Sequence, residues 1–168
     1  FHADYPPLVA LNIASRWDTL ASETTAVPML LGLLFSLASL GVCFATLTNL
    51  KSIGQGALSL ILLSGVRFLL SEGGRQTADV PLALYILSSI VFLFFNYREK
   101  RPVFMALAAI MAGFAAWTKN EGLLFVFATA GILFLAALWK RSFRDFLFYL
   151  AGVLLPLILL LHLKTQIA

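Results

Sequence analysis

Charge is what this sequence has least of. Only 12% of its 168 residues are Asp, Glu, Lys or Arg, about half the share of a soluble domain, while 61% are hydrophobic. So small a polar complement, with a mean hydropathy of +0.94, excludes an ordinary water-soluble domain and describes an integral membrane protein. The net charge of +4 is then not a nucleic-acid footprint, because membrane proteins gather basic residues on their cytoplasmic loops. Nucleic acid is excluded as a partner. Cysteine is nearly absent: the single Cys43, set among Leu40, Val42 and Phe44, rules out a disulfide framework and any Cys/His metal spacing. His2 and His162 stand far apart in the chain. There is no internal repeat of fixed period, no low-complexity tract and no signal peptide. Without an initiating methionine, the chain reads as a segment of a longer protein.

What is present is a series of apolar runs, over residues 27–48, 53–70, 80–95, 103–117, 122–139 and 146–163. About 20 apolar residues cross the ~30 Å hydrocarbon core. The expected fold is therefore all-α, a polytopic membrane helix bundle of about six transmembrane helices. Pro156 lies inside the last run and predicts a kink rather than a break. Residues 8–24 differ. Val9, Ile13, Trp17, Leu20 and Ala21 fall on one side of a helical wheel, and Asn12, Arg16, Thr19 and Glu23 on another. This pattern predicts an N-terminal amphipathic helix lying in the membrane interface.

The joints set the orientation. Lys51, then Arg98, Lys100 and Arg101, then Lys140, Arg141 and Arg144 occupy alternate joints and hold seven of the twelve Lys/Arg. The positive-inside rule makes these joints cytoplasmic, and nothing in them resembles a site. Six of the eight acidic residues fall on the opposite side, with the N-terminal segment, "SEGGRQTAD" and "TKNE".

Several charges on that side need an explanation. Asp79 precedes "VPLALY", where an aspartate before an apolar helix serves as an N-cap. Glu72 and Arg75 flank Gly73-Gly74, as in a solvated turn. Arg67 lies within the second run; it either snorkels to the interface or faces a polar cavity. Lys119 sits between two of the most apolar stretches. The fifteen residues of the run before it reach only ~22 Å, which leaves Thr118 to Glu121 below the membrane surface. Backbone at that depth is tolerated where it lines a wet cavity; a plain surface turn over a thinned bilayer is the competing account. We expect Lys119 to face a cavity as a point cation, in company with Asp79 and the Asp4-Tyr5-Pro6 turn.

Three motifs on this side share an order. "ADYPPL" leads into the amphipathic segment; "SEGGRQTADVPLALY" is a loop ending in an aspartate before a helix; "GFAAWTKNEGLL" has the form G-x-x-x-x-TK-x-x-G. Together they resemble the polyprenyl-phosphate-sugar glycosyltransferases of the GT-C type, including glycosyltransferase family 39 (protein mannosyltransferase-like) and the aminoarabinose-transferase-like enzymes. The resemblance covers essentially the whole chain. It implies inverting sugar transfer from a lipid-phosphate donor to a glycan, lipid or protein acceptor at the extracytoplasmic face of the plasma (inner) membrane. By the same resemblance Asp79 is a supporting catalytic carboxylate, and Lys119, Arg67 and Tyr5 contact the donor phosphate. Asp4, Glu72, Arg75 and Glu121 line the cavity. Tyr5 departs from the histidine or lysine that many members carry there. The principal catalytic aspartate is expected upstream of this segment, which would be inactive alone. No cofactor is required outright; the family admits a divalent metal, for which Asp4 and His2 are the candidate ligands. The rival class is a transporter or lipid flippase with Arg67 and Lys119 along its path. Polar residues gathered at one face, with no repeat, favour the enzyme over the transporter. A non-catalytic scaffold subunit is a third reading.

The orientation is testable. Single cysteines placed in a Cys43→Ala background at Gly74 and at Asn120 are expected to react with an impermeant thiol reagent in intact cells, and one at Arg98 to stay unlabelled. The reverse pattern would invert the topology.

Overall fold

A computed structural model describes residues 8–66 and 77–167, with the backbone alone for 160, 161 and 163–167. His2, Asp4, Tyr5, Arg67, Glu72 and Arg75 lie outside the described residues. The fold is all-α. Seven helices occupy the described residues: α1 (Leu8–Leu20), α2 (Ala26–Leu50), α3 (Ile53–Ser64), α4 (Asp79–Glu99), α5 (Pro102–Thr118), α6 (Asn120–Lys140) and α7 (Arg144–Ile167). Of these, α2, α4 and α6 are long and apolar enough to cross a membrane, while α3 and α5 are shorter apolar helices. At 1.5 Å per residue the 17 residues of α5 reach about 25 Å. The chain divides into two compact units, Val9–Leu87 and Ser88–Ala168.

In the first unit α2 and α3 pack as a hairpin. Their joint is two residues long. Lys51 N–H donates to Leu47 O (2.9 Å), closing α2, and the Ser52 hydroxyl accepts from Gln55 N–H (3.4 Å) to cap α3. α1 buries Ile13, leaves Val9 and Trp17 half-buried and exposes Asn12, Arg16 and Thr19, as the wheel predicts, but Leu20 and Ala21 of the expected apolar side are exposed. It is shorter than the sequence suggests. Ala21 takes a left-handed φ of 48°, which ends the helix at Leu20, and Leu20 is 59% exposed. Trp17 Nε1 donates to Thr24 O (2.8 Å), folding the following turn back onto the helix. At the other end of this unit α4 begins with Asp79 already in its first turn. Ala78, not Asp79, holds the cap position, its carbonyl accepting from Leu82 N–H (3.0 Å). A carboxylate in the first turn still favours the helix through the positive end of its dipole.

The second unit is built inside out relative to a soluble bundle. Its buried centre is α5, which hides Met105, Ala108, Ala109, Ala112, Gly113, Ala115 and Ala116. Large side chains such as Leu124, Phe127, Leu135, Leu154 and Leu155 point outward. Such a division suits lipid, where apolar surface gains nothing by leaving the solvent and close backbone approach becomes the source of cohesion. α5 meets α7 most closely. A Cβ on Gly113 would stand 2.6 Å from the Cβ and Cγ of Pro156, and one on Gly152 would stand 2.6 Å from the Ala109 Cβ. α7 runs through Pro156 without interruption, so the proline acts as a packing surface for Gly113. Ser89 on α4 adds an interhelical hydrogen bond, its hydroxyl donating to Ala108 O (2.8 Å) with both groups buried.

A side chain at Gly113 must push α7 away. Gly113→Val is expected to destabilise by about 1–3 kcal/mol, the range for overpacking. Gly131→Ala, where an added Cβ meets nothing within 4 Å, is expected to stabilise by about 0.5–1 kcal/mol. Thermal unfolding of the two variants in the same detergent, followed by size exclusion, should give midpoints on opposite sides of the wild type.

Candidate functional site

The joint between α5 and α6 is a single residue. Lys119 is both the last cap of α5 and the first cap of α6, with an extended backbone (φ −158°, ψ 154°). Its main chain is used on both sides: its N–H donates to Ala115 O (3.2 Å), and its carbonyl accepts from Gly122 N–H (2.9 Å). The "TKNE" segment is thus shorter as a turn than the sequence suggests, since Thr118 closes one helix and Asn120 opens the next. Thr118 is 1% exposed, and its hydroxyl donates to Phe114 O (2.8 Å), satisfying itself within its own helix.

The motif glycines are explained by contact. Gly122 lies in the first turn of α6, directly against the backbone of Ala115 and Ala116; any Cβ there would overlap the Ala115 carbonyl. Gly113 meets Pro156, as above. Glycine therefore lets α6 leave α5 within one residue, with Lys119 at the bend. Sequence reasoning missed this division of labour. The spacing of nine residues between Gly113 and Gly122, around a Thr-Lys pair, was its visible trace.

The Lys119 side chain is 21% exposed, and its Nζ lies 3.2 Å from Oε1 of Glu121, which is 58% exposed. With one partner in the open, such a pair is worth about 0–1 kcal/mol, weak enough for a competing anion to replace the carboxylate. The Lys119 side chain makes no cap hydrogen bond to α6, and the start of that helix adds partial positive charge beside the ammonium. The arrangement can hold an anion, with the exposed Glu121 carboxylate standing in for it. Asp79, in the first unit, is half-buried in the first turn of α4. Among the described residues no three His, Cys, Asp or Glu side chains gather as a metal site, and His162 is exposed on α7.

The sequence matches the family described as dolichyl-phosphate-mannose-protein mannosyltransferase over residues 4–163. No curated protein and no solved structure gives a significant match.

The tight joint makes its own prediction. Gly122→Ala should prevent α6 from leaving α5 at this angle and lower the unfolding midpoint or the folded yield sharply. Glu121→Gln, at an exposed position, should change stability by less than about 0.5 kcal/mol. Equal yields and melting points for the two variants would mean that the contact with Ala115 is not a constraint.

Proposed function

Since the chain belongs to the dolichyl-phosphate-mannose-protein mannosyltransferase family and is thereby a membrane glycosyltransferase, we propose that it moves a sugar from a polyprenyl-phosphate-linked donor to an acceptor at the extracytoplasmic face. The match over residues 4–163 carries this reading. The acceptor is a glycan, a lipid or a protein, and the membrane is the plasma (inner) membrane.

The chemistry assigns each residue type a task. The donor is a phosphodiester with one negative charge. When an acceptor oxygen attacks the anomeric carbon from the opposite side, the bond from that carbon to the phosphate oxygen breaks with inversion. Its electron pair stays on the phosphate, which leaves as a monoester with a second charge. A cation near that oxygen opposes the developing charge, and Lys119 is the residue for it, with Arg67 and Tyr5 as further phosphate contacts. The proton of the acceptor goes to a carboxylate, the task of an aspartate upstream of Phe1, with Asp79 in support. Asp4, Glu72 and Arg75 complete the polar lining. Glu121 keeps the Lys119 ammonium paired until the phosphate arrives, which limits the cost of a partly buried charge in the empty enzyme. A divalent ion, if bound, would neutralise phosphate charge.

Lys119→Ala in the full-length enzyme is expected to reduce transfer at limiting donor by roughly 10²-fold or more, the loss typical of one charge-stabilising donor. Yield and melting temperature should stay near wild type, because the joint is made by the backbone. Lys119→Arg should recover part of the activity, since its planar fork places the charge differently. Normal transfer by the alanine variant at limiting donor would remove Lys119 from the phosphate site.

A further inference from the structure

We propose a second site in the Ser88–Ala168 unit, a pocket for an anionic phospholipid at the end of α6 away from Lys119. It does not rest on the transfer reaction. A cavity of about 470 Å³ opens there between the C-terminal ends of α4 and α6 and the start of α7. Leu93, Phe125, Ile132, Leu133 and Phe146 line its apolar walls. Its rim is cationic. Lys100 Nζ lies 4.4 Å from the centre of the Tyr97 ring and Lys140 Nζ 5.7 Å from it. One exposed aromatic ring thus holds two ammonium groups, one from the residue after α4 and one from the last turn of α6, both within cation–π range. Two like charges drawn to one ring repel each other, and an anion seated between them removes that cost.

The nearby carboxylates do not supply that anion. Glu99 pairs with Arg101 (3.5 Å), and Asp145 with Arg144 (3.3 Å) and with the Asn96 amide (3.3 Å). Among the described residues neither lysine forms an ion pair with a carboxylate. The chain also accepts strain to place basic residues here. α4 and α6 are each followed by a left-handed residue, Lys100 (φ 57°) and Arg141 (φ 49°), where glycine is the usual choice.

A second, independent observation points to a ligand. Asn96 lines the cavity and is 3% exposed, yet its Oδ1 is buried without a hydrogen-bond partner. Its Nδ2 faces the Asp145 carboxylate, an acceptor only, which fixes the orientation of the amide. Oδ1 is therefore an unpaired acceptor in the cavity wall. A phospholipid with a hydroxyl-bearing headgroup meets all three features: phosphate between Lys100 and Lys140, a hydroxyl for Asn96, and an acyl chain along the apolar wall. The basic joints place this end at the cytoplasmic leaflet, where anionic lipid meets basic pockets between helices. The short basic joints that looked featureless in sequence become one side of a binding site.

The test uses the full-length protein in nanodiscs of equal phosphatidylglycerol and phosphatidylcholine, with retained lipid counted by native mass spectrometry after mild delipidation. Wild type should retain phosphatidylglycerol preferentially. Lys100→Gln with Lys140→Gln should reduce that preference roughly thirtyfold, the effect of two basic residues at a membrane surface, and the double arginine variant should keep it. Retention of both lipids alike by wild type, or an undiminished preference in the glutamine variant, would overturn the proposal. Should the glutamine variant fail to fold, a photoactivatable phosphatidylglycerol on wild type decides: crosslinks within residues 90–97 and 125–140 support the site, and crosslinks only elsewhere sink it.

Discussion

The close approach of α5 to α7 is the constraint on which the second unit depends. In hydrocarbon the hydrophobic effect does not pull helices together, so cohesion rests on backbones near enough for dense packing and occasional hydrogen bonds. Alanines along one face of α5, with Gly113 against Pro156 and Gly152 against Ala109, provide that approach. The large residues are thereby released to face lipid, and the buried polar groups of this unit are few. Ser89 finds Ala108 O. Tyr149 is fully buried with its hydroxyl beside Thr129, without a hydrogen bond of good geometry.

The Lys119 joint follows from the same packing. α5 is short for a spanning helix, and its last turn is buried through Ala115, Ala116 and Thr118. α6 therefore starts against the buried last turn of α5 through Gly122, while Asn120 and Glu121 stay exposed. Gly122 makes room for that start, and the extended Lys119 makes the bend. A charged residue at this place is consistent with polar backbone at membrane depth being tolerated only against protein or a wet cavity.

Much of the fold was legible because membrane spans are written in hydropathy alone. Long runs of Leu, Val and Phe between basic joints left no other architecture, and Lys119 stood out by the cost of its charge. The packing was less visible. Alanine and leucine count alike as apolar, so hydropathy could not tell that α5 is the buried helix and α2 an exposed one; side-chain volume carried that information. Ala21 gave no sign of a left-handed turn, because alanine is a good helix former and only its neighbours end the helix. The Tyr97 cluster was hidden for a topological reason. Its lysines come from two helices about forty residues apart, and each alone reads as an orientation signal.

A one-residue joint leaves no spare length between α5 and α6. Connecting segments ordinarily absorb insertions and deletions, because slack backbone can bulge into solvent. Here an added or lost residue would turn α6 by about 100° around its own axis. Leu124, Phe127 and Leu135 would swing from the lipid face toward the bundle, while Val126 and Thr129 would turn outward. A change of length at this point therefore costs packing along the whole of α6, in a way that a surface substitution does not.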